Sequence, residues 1–176
     1  MSEKIITIFG SCRIKEGDIA FELAFELGGL CADAGFAIAN GGYNGVMLAA
    51  AKGAKLAGGK TIGVTCAAFG KKGPNEFVTD TIVTQNLTER VAKLVEIGDA
   101  YVVLPGGTGT LLEFADIWES ANKGFVNPQK PIIIIGEFWK PLVELMAKDD
   151  PRTGKCILTA DGPQSAVKLI KEYFSK

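Results

Sequence analysis

The 176-residue sequence contains no histidine. That absence removes Ser-His-Asp and Cys-His catalysis and every metal site built on imidazole. If the chain is catalytic, carboxylates and arginines must carry the chemistry. Cysteine is sparse as well: Cys12, Cys31, Cys66 and Cys156 stand apart with no C-x-x-C pair. This spacing argues against a zinc site or a dithiol redox motif and for reduced, mostly packed thiols; no metal is expected. No apolar run approaches the ~20 residues that span a bilayer, so no membrane-spanning segment is expected. Nor is there a surplus of charge. Nineteen basic residues face twenty acidic ones, for a formal net charge of -1, which leaves no global electrostatic case for nucleic acid or an anionic membrane as partner. The sequence also lacks G-x-G-x-x-G and G-x-x-x-x-G-K-[ST], which speaks against a dinucleotide cofactor held in the usual way and against a nucleoside triphosphate.

What is present is a single-domain length, taken as residues 1–176, able to bury roughly 70% of the surface its unfolded chain would expose. Met1-Ser2-Glu3-Lys4 runs straight into Ile5-Ile6-Thr7-Ile8 without a signal-peptide pattern, so a cytoplasmic location is expected. Short apolar runs alternate with helix-period segments along the chain, the pattern of an α/β domain: a Rossmann-like, mostly parallel sheet with helices on both faces. Strands are predicted at 4–9, 36–39, 61–65, 79–84, 100–104, 131–136 and 156–159. Helices are predicted over 17–35, 46–56, 88–97, from the 105–110 turn to 121, over 139–147 and over 163–174. The polar, glycine-containing stretch 66–76 reads as a mobile loop of the kind that closes over ligands.

Three turns fall where such sheets bind ligands, beyond the carboxyl ends of strands, with anions held by free N–H groups at helix N-termini. Phe9-Gly10-Ser11-Cys12-Arg13 follows the first strand, Asn40-Gly41-Gly42-Tyr43-Asn44-Gly45 the second, and Pro105-Gly106-Gly107-Thr108-Gly109-Thr110 the fifth. Glycine admits positive φ and close approach of a phosphate, while Thr108 and Thr110 offer hydroxyl donors. Arg13, just past a strand end, is a further phosphate candidate. The plainer reading is that the glycines only make tight turns. A mononucleotide is the ligand class these turns suit best.

The stretch Pro105-Gly106-Gly107-Thr108-Gly109-Thr110-Leu111-Leu112-Glu113 matches P-G-G-x-G-T-x-x-E and resembles the signature of the LONELY GUY family, whose members often carry the label lysine decarboxylase. Phe9-Gly10-Ser11 is similar to that family's first-strand turn. Gly41-Gly42-Tyr43-Asn44-Gly45-Val46-Met47 is similar to its G-G-x-x-G-hydrophobic-M segment, and Leu87-Thr88-Glu89-Arg90 to the stretch that carries its arginine. The resemblance implies a Rossmann-like homodimer that cleaves the N-glycosidic bond of nucleoside 5′-monophosphates, AMP or cytokinin riboside monophosphates, to free base and ribose 5-phosphate, without metal or organic cofactor. It implies catalytic roles for Arg90 and Glu113, and phosphate or substrate binding by Gly10, Ser11, Gly42, Gly45, Met47, Gly106, Gly107, Thr108, Gly109 and Thr110, whereas Arg13 is a candidate from its position alone. Three departures stand out. Val91 occupies the position where many members have lysine after the arginine, Tyr43-Asn44 replaces smaller residues, and Cys12-Arg13 replaces a second serine and its neighbour. Similar glycine turns occur in the related molybdenum-cofactor carrier proteins, so the alternative is a non-catalytic carrier of a phosphorylated small molecule such as that cofactor or a nucleotide. Lysine decarboxylation is rejected, because no His-Lys pair for pyridoxal chemistry exists.

Breaking an N-glycosidic bond builds positive charge on the ribose, which a carboxylate stabilises while it orients or deprotonates water. Glu113 suits that role, yet Thr110-Leu111-Leu112-Glu113 is also the spacing of a helix capping box. Arg90 could hold phosphate or ribose by a bidentate fork, or lie on a solvated helix face beside Glu89 and Lys93. Asp116 and Glu119 share the helix of Glu113 and would ordinarily face solvent. Phe114, Trp118, Phe138 and Trp139 read as core or interface rather than ligand residues.

Overall fold

Four successive isoleucines, Ile132–Ile135, all buried, show why this chain makes a parallel sheet: a strand covered on both faces has no polar side and reads as one apolar run. In the computed structural model, which describes residues 3–125 and 130–175, seven strands pair in parallel in the order β4-β3-β2-β1-β5-β6-β7. They are β1 Ile5–Phe9, β2 Ala37–Asn40, β3 Thr61–Cys66, β4 Asp80–Thr84, β5 Ala100–Val103, β6 Ile132–Ile135 and β7 Ile157–Ala160. The helices are α1 Ile19–Asp33, α2 Val46–Leu56, α3 Leu87–Ile97, α4 Thr108–Asn122, α5 Lys140–Ala147 and α6 Pro163–Phe174. The expected α/β class and parallel sheet are thus found. Met1 and Ser2, on which the expectation of a leaderless start rests, lie outside the described residues.

The sheet separates two cores. Ile6, Ile8, Ile38, Val102 and Ile133 face one core with α1, α2 and α6; Phe9, Val64, Tyr101, Val103 and Ile134 face the other with α3 to α5. Where α1 crosses α2, two glycines let backbones touch. A Cβ on Gly28 would strike the Ala50 carbonyl, and one on Gly53 the Phe25 carbonyl. Small-residue contacts of this kind bring the α1 and α2 backbones together.

Differences from the sequence expectations have local causes. β2 runs on through Asn40 because its amide is consumed by the turn that follows: Nδ2 donates to the Met47 carbonyl at 3.0 Å and Oδ1 accepts from the Gly42 N–H at 2.8 Å. α1 starts at Ile19, two residues later than expected, since Asp18 spends its carboxylate on the Lys15 N–H. α3 starts one residue early, with Asn86 accepting from the Glu89 N–H and Glu89 reaching back to the Gln85 N–H. The stretch 66–76, expected as a mobile loop, is tied at both ends. Cys66 closes β3, Ala67–Phe69 forms a 3-10 turn, and Asn75 donates to the Gly42 and Tyr43 carbonyls from its backbone N–H and side chain.

The chain winds outward from β1 to β4, then returns beside β1 as β5. The switch point therefore lies between β1 and β5, where crevices open beyond strand ends. The two strand ends are latched across it: Leu104 N–H donates to the Phe9 carbonyl and Ser11 N–H to the Pro105 carbonyl. Among the described residues, no helix is long and apolar enough to cross a membrane.

Candidate functional site

A cavity of about 650 Å³ opens at this switch point, over the carboxyl ends of β5, β1, β2 and β3. Its first wall is the N-terminus of α4. Gly107 precedes the first helical residue, Thr108, so the amide hydrogens of the opening turn lack partners within the helix and face the cavity with partial positive charge. Gly107, Thr108 and Gly109 are exposed there, while Thr110 is buried. Gly106 does not line the cavity; a Cβ on it would collide with the Thr110 hydroxyl, so its role is to let the turn close. The β1 turn supplies Gly10, Ser11, Cys12 and Arg13, with the Ser11 hydroxyl accepting the Arg13 N–H.

Because α4 begins at Thr108, Glu113 lies well past the first turn and cannot act as the capping glutamate that its spacing from Thr110 allowed. Its carboxylate instead turns into the cavity floor and is 9% exposed. Nor is Arg90 on a solvated face: it is 6% exposed. Its Nε donates to the Val64 carbonyl at 2.9 Å, its Nη1 to Glu113 Oε1 at 3.3 Å, and its Nη2 approaches Met47 Sδ at 3.8 Å. The guanidinium also lies 5.7 Å from the ring centres of both Tyr43 and Phe69. Such a cation is held by one carbonyl, one carboxylate and two π faces, and it still borders the cavity.

Burial pushes the Glu113 carboxyl up to about 7, against the opposing pull of the Arg90 charge and hydrogen bond. Desolvation disfavours the ionised form more than the single 3.3 Å contact favours it. The cavity thus holds a carboxyl that exchanges its proton near neutrality, within reach of a fixed cation and a helix N-terminus.

The β2 turn shapes the space for this pair. A Cβ on Gly41 would fall on the Arg90 guanidinium and crowd Met47 Sδ. Gly42 and Gly45 have positive φ, at 75° and 67°, and stand behind the cavity wall, where Gly45 packs against the Ser11 and Cys12 backbone. The structure therefore gathers Gly10, Ser11, Arg13, Met47, Arg90, Gly107, Thr108, Gly109, Thr110 and Glu113 around one cavity and leaves Gly42, Gly45 and Gly106 to set turn geometry. Asp116 and Glu119 are exposed on α4. Phe114, Trp118 and Trp139 belong to the core, the two indoles donating to the Thr153 and Leu104 carbonyls.

Eight lining residues were not among the site residues named from sequence: Ile8, Phe9, Cys12, Gly41, Tyr43 and Leu87, which lie in or beside the segments quoted there, and Phe69 and Lys71, which do not. Tyr43 is anchored by its hydroxyl, which accepts the Cys66 N–H at 2.9 Å and contacts the Cys66 carbonyl at 3.3 Å. Its ring meets Phe69 at 6.0 Å and carries the Lys71 ammonium 4.2 Å from its centre. The only sequence signal for Phe69 and Lys71 was the glycine-containing stretch after β3, which the Tyr43 hydroxyl ties down at Cys66.

A doubly wound α/β domain with an anion-attracting helix end and a buried Arg-Glu pair at its switch point defines a class of small-molecule site. The family follows from comparison. Residues 47–167 match the family described as "Possible lysine decarboxylase", and the chain belongs to it, the LONELY GUY family of the sequence resemblance. A cytokinin riboside 5′-monophosphate phosphoribohydrolase of Mycobacterium tuberculosis is 35% identical over 116 residues, 65% of this chain and 61% of that protein. The chain thus spans somewhat under two thirds of that relative's length. The protein of the same name from Rhodococcoides fascians is 29% identical over 80% of this chain and 72% of that one. Among solved structures, the molybdenum cofactor binding protein of Rippkaea orientalis superposes with a TM-score of 0.78 at 30% identity, covering 99% of each chain.

Proposed function

We propose that this protein is a phosphoribohydrolase of nucleoside 5′-monophosphates, adding water across the bond between ribose C1′ and the base nitrogen. The observation that carries the reading is the buried Arg90-Glu113 pair on the floor of a cavity whose rim is the α4 N-terminus. The names of relatives 35% and 29% identical to this chain over the aligned residues support it.

The 5′-phosphate seats against the free amides of Gly107, Thr108 and Gly109, with Ser11 and Arg13 beside it, where the helix dipole favours an anion. This places the ribose over Glu113. As the C1′–N bond lengthens, the ionised carboxylate faces the developing positive charge and takes a proton from the attacking water. The hydroxyl joins C1′, the proton passes to the departing base nitrogen, and free base and ribose 5-phosphate result. Arg90 holds the carboxylate in place, keeps part of its population ionised and offers donors to ribose hydroxyls. No step calls for a metal or an organic cofactor.

The solved molybdenum cofactor binding protein supports a second reading, and so does Val91, buried in α3 where a lysine is common in the family: a carrier of a phosphorylated small molecule that hydrolyses nothing. The two readings part on one assay. Incubation with AMP and a cytokinin riboside monophosphate, with chromatography for free base and ribose 5-phosphate, shows base release if the chain is a hydrolase. Nucleotide or pterin retained without release supports the carrier. We further propose a homodimer, supported by the exposed Leu87, Leu111 and Leu112, an apolar set that a second copy would cover.

A further inference from the structure

The strand order sets a direction inside the cavity. From the α4 N-terminus at the end of β5, three inter-strand steps lead through β1 and β2 to β3, a span of ~14 Å. With the phosphate at the helix end and the ribose over the Arg90-Glu113 pair, the remaining wall is the one built by Tyr43, Phe69 and Lys71. Phe69 presents a ring that is 42% exposed on a 3-10 turn ended by Gly70 at φ 63°. The buried Tyr43 ring backs it, and its own face is occupied by the Lys71 ammonium.

We propose that this wall is the base-recognition site and that Lys71 ranks substrates by the edge of the base. The inference rests on the nucleotide reading given above. Phe69 has the Arg90 guanidinium over its ring and is still 42% exposed, so a planar base stacks on the exposed part of that ring. Lys71 has three donors and no acceptor, and its ammonium contacts a ring face rather than a carboxylate, so its donors remain available to a ligand. A 6-oxopurine presents two neighbouring acceptors, O6 and N7, to such a group. Adenine presents N7 beside an amino group, which would set donor against donor. The favoured class is therefore the 6-oxopurine nucleotides, IMP and GMP, with AMP a poorer substrate. A pterin carries the same paired acceptors at O4 and N5, so the recognised feature is a lactam ring edge on a phosphate ester, and we assign it to the purine.

IMP and AMP differ at this edge and little elsewhere, which makes their ratio the readout. The wild-type protein is expected to show kcat/KM for IMP about tenfold above AMP, the scale of one charge-assisted hydrogen bond. K71M brings the ratio toward one, and K71R preserves it. Equilibrium dialysis of IMP, AMP and a phosphorylated pterin against E113Q, with and without K71M, reads recognition apart from turnover. If no base is released from any nucleotide, the hydrolase reading fails, and the dissociation constants still decide the role of Lys71. Preference for AMP, an equal loss for both nucleotides in K71M, or no binding of IMP overturns the inference while leaving the assay of hydrolysis to stand by itself. Tighter binding of the pterin than of IMP, lost in K71M, keeps the lactam edge and overturns its assignment to a purine.

Discussion

At the scale of single residues, the Arg90-Glu113 pair sets what the site can do. Glu113→Gln keeps the shape and removes the charge, so turnover is expected to fall by about 10²–10³-fold while nucleotide binding persists; steady-state rates beside equilibrium dialysis check this. The pH profile follows from the burial of the carboxyl. Its folded value is raised from 4.5 to about 7, and the reaction needs the ionised form, so kcat is expected to rise with pH through about 7 and level off above it. Arg90 lowers that value, so Arg90→Met should carry the rise to higher pH. Removing one partner of a buried pair also costs about 3–5 kcal/mol of stability, so the profile of this variant is read at a temperature where circular dichroism shows it folded. A profile with an unmoved midpoint would take Glu113 out of the titration.

Residue chemistry was only partly legible beforehand. The P-G-G-T-G-T-x-x-E stretch marked Glu113, yet spacing alone could not separate a carboxylate that lines the cavity from one that caps the helix. That distinction rests on where α4 begins, which Gly107 decides through its extended backbone. Arg90 reads in sequence as one charge among several on α3. Its burial depends on Gly41 leaving space forty-nine positions earlier in the chain, a long-range steric fact that no local pattern carries.

At the scale of elements, the site depends on two close approaches of backbone. α1 and α2 touch through Gly28 and Gly53, where an added Cβ would meet a carbonyl oxygen. Alanine is the better helix former by about 0.8–1.0 kcal/mol, so an exposed glycine would gain from replacement. Here Gly53→Ala is expected to lower stability by about 1–3 kcal/mol, because overpacking forces the helices apart. Urea unfolding monitored by circular dichroism measures it, and an unchanged or raised midpoint would show that the helices separate freely. Gly41→Ala tests the second approach: its Cβ displaces the guanidinium, so activity should drop sharply while the far side of the sheet is undisturbed. Strands and helices were legible because apolar runs and 3.6-residue periods encode them directly. The ties at the two ends of the stretch after β3 are hydrogen bonds between Asn75 and the Gly42 and Tyr43 carbonyls and between the Tyr43 hydroxyl and Cys66, which polar composition does not encode.

At the scale of the whole molecule, one parallel sheet with a single switch point places every predicted phosphate turn on the same edge. This explains why the glycine turns could be grouped from sequence while the far wall could not: the turns follow strands, and the wall belongs to a segment whose position only the fold reveals. The exposed leucines of α3 and α4 bear on assembly. Light scattering is expected to give twice the chain mass, and Leu112→Glu to return it to one chain; a wild-type monomer would refute the dimer and leave the cavity as described.

The central claim is that water is added at C1′ under the control of Glu113. It is tested most directly by incubating the wild-type chain and Glu113→Gln with a nucleoside 5′-monophosphate and separating the products. Free base and ribose 5-phosphate in equal amounts from the wild type, with neither from the variant, is the predicted result. Nucleoside and inorganic phosphate, or base release undiminished in Glu113→Gln, would contradict it.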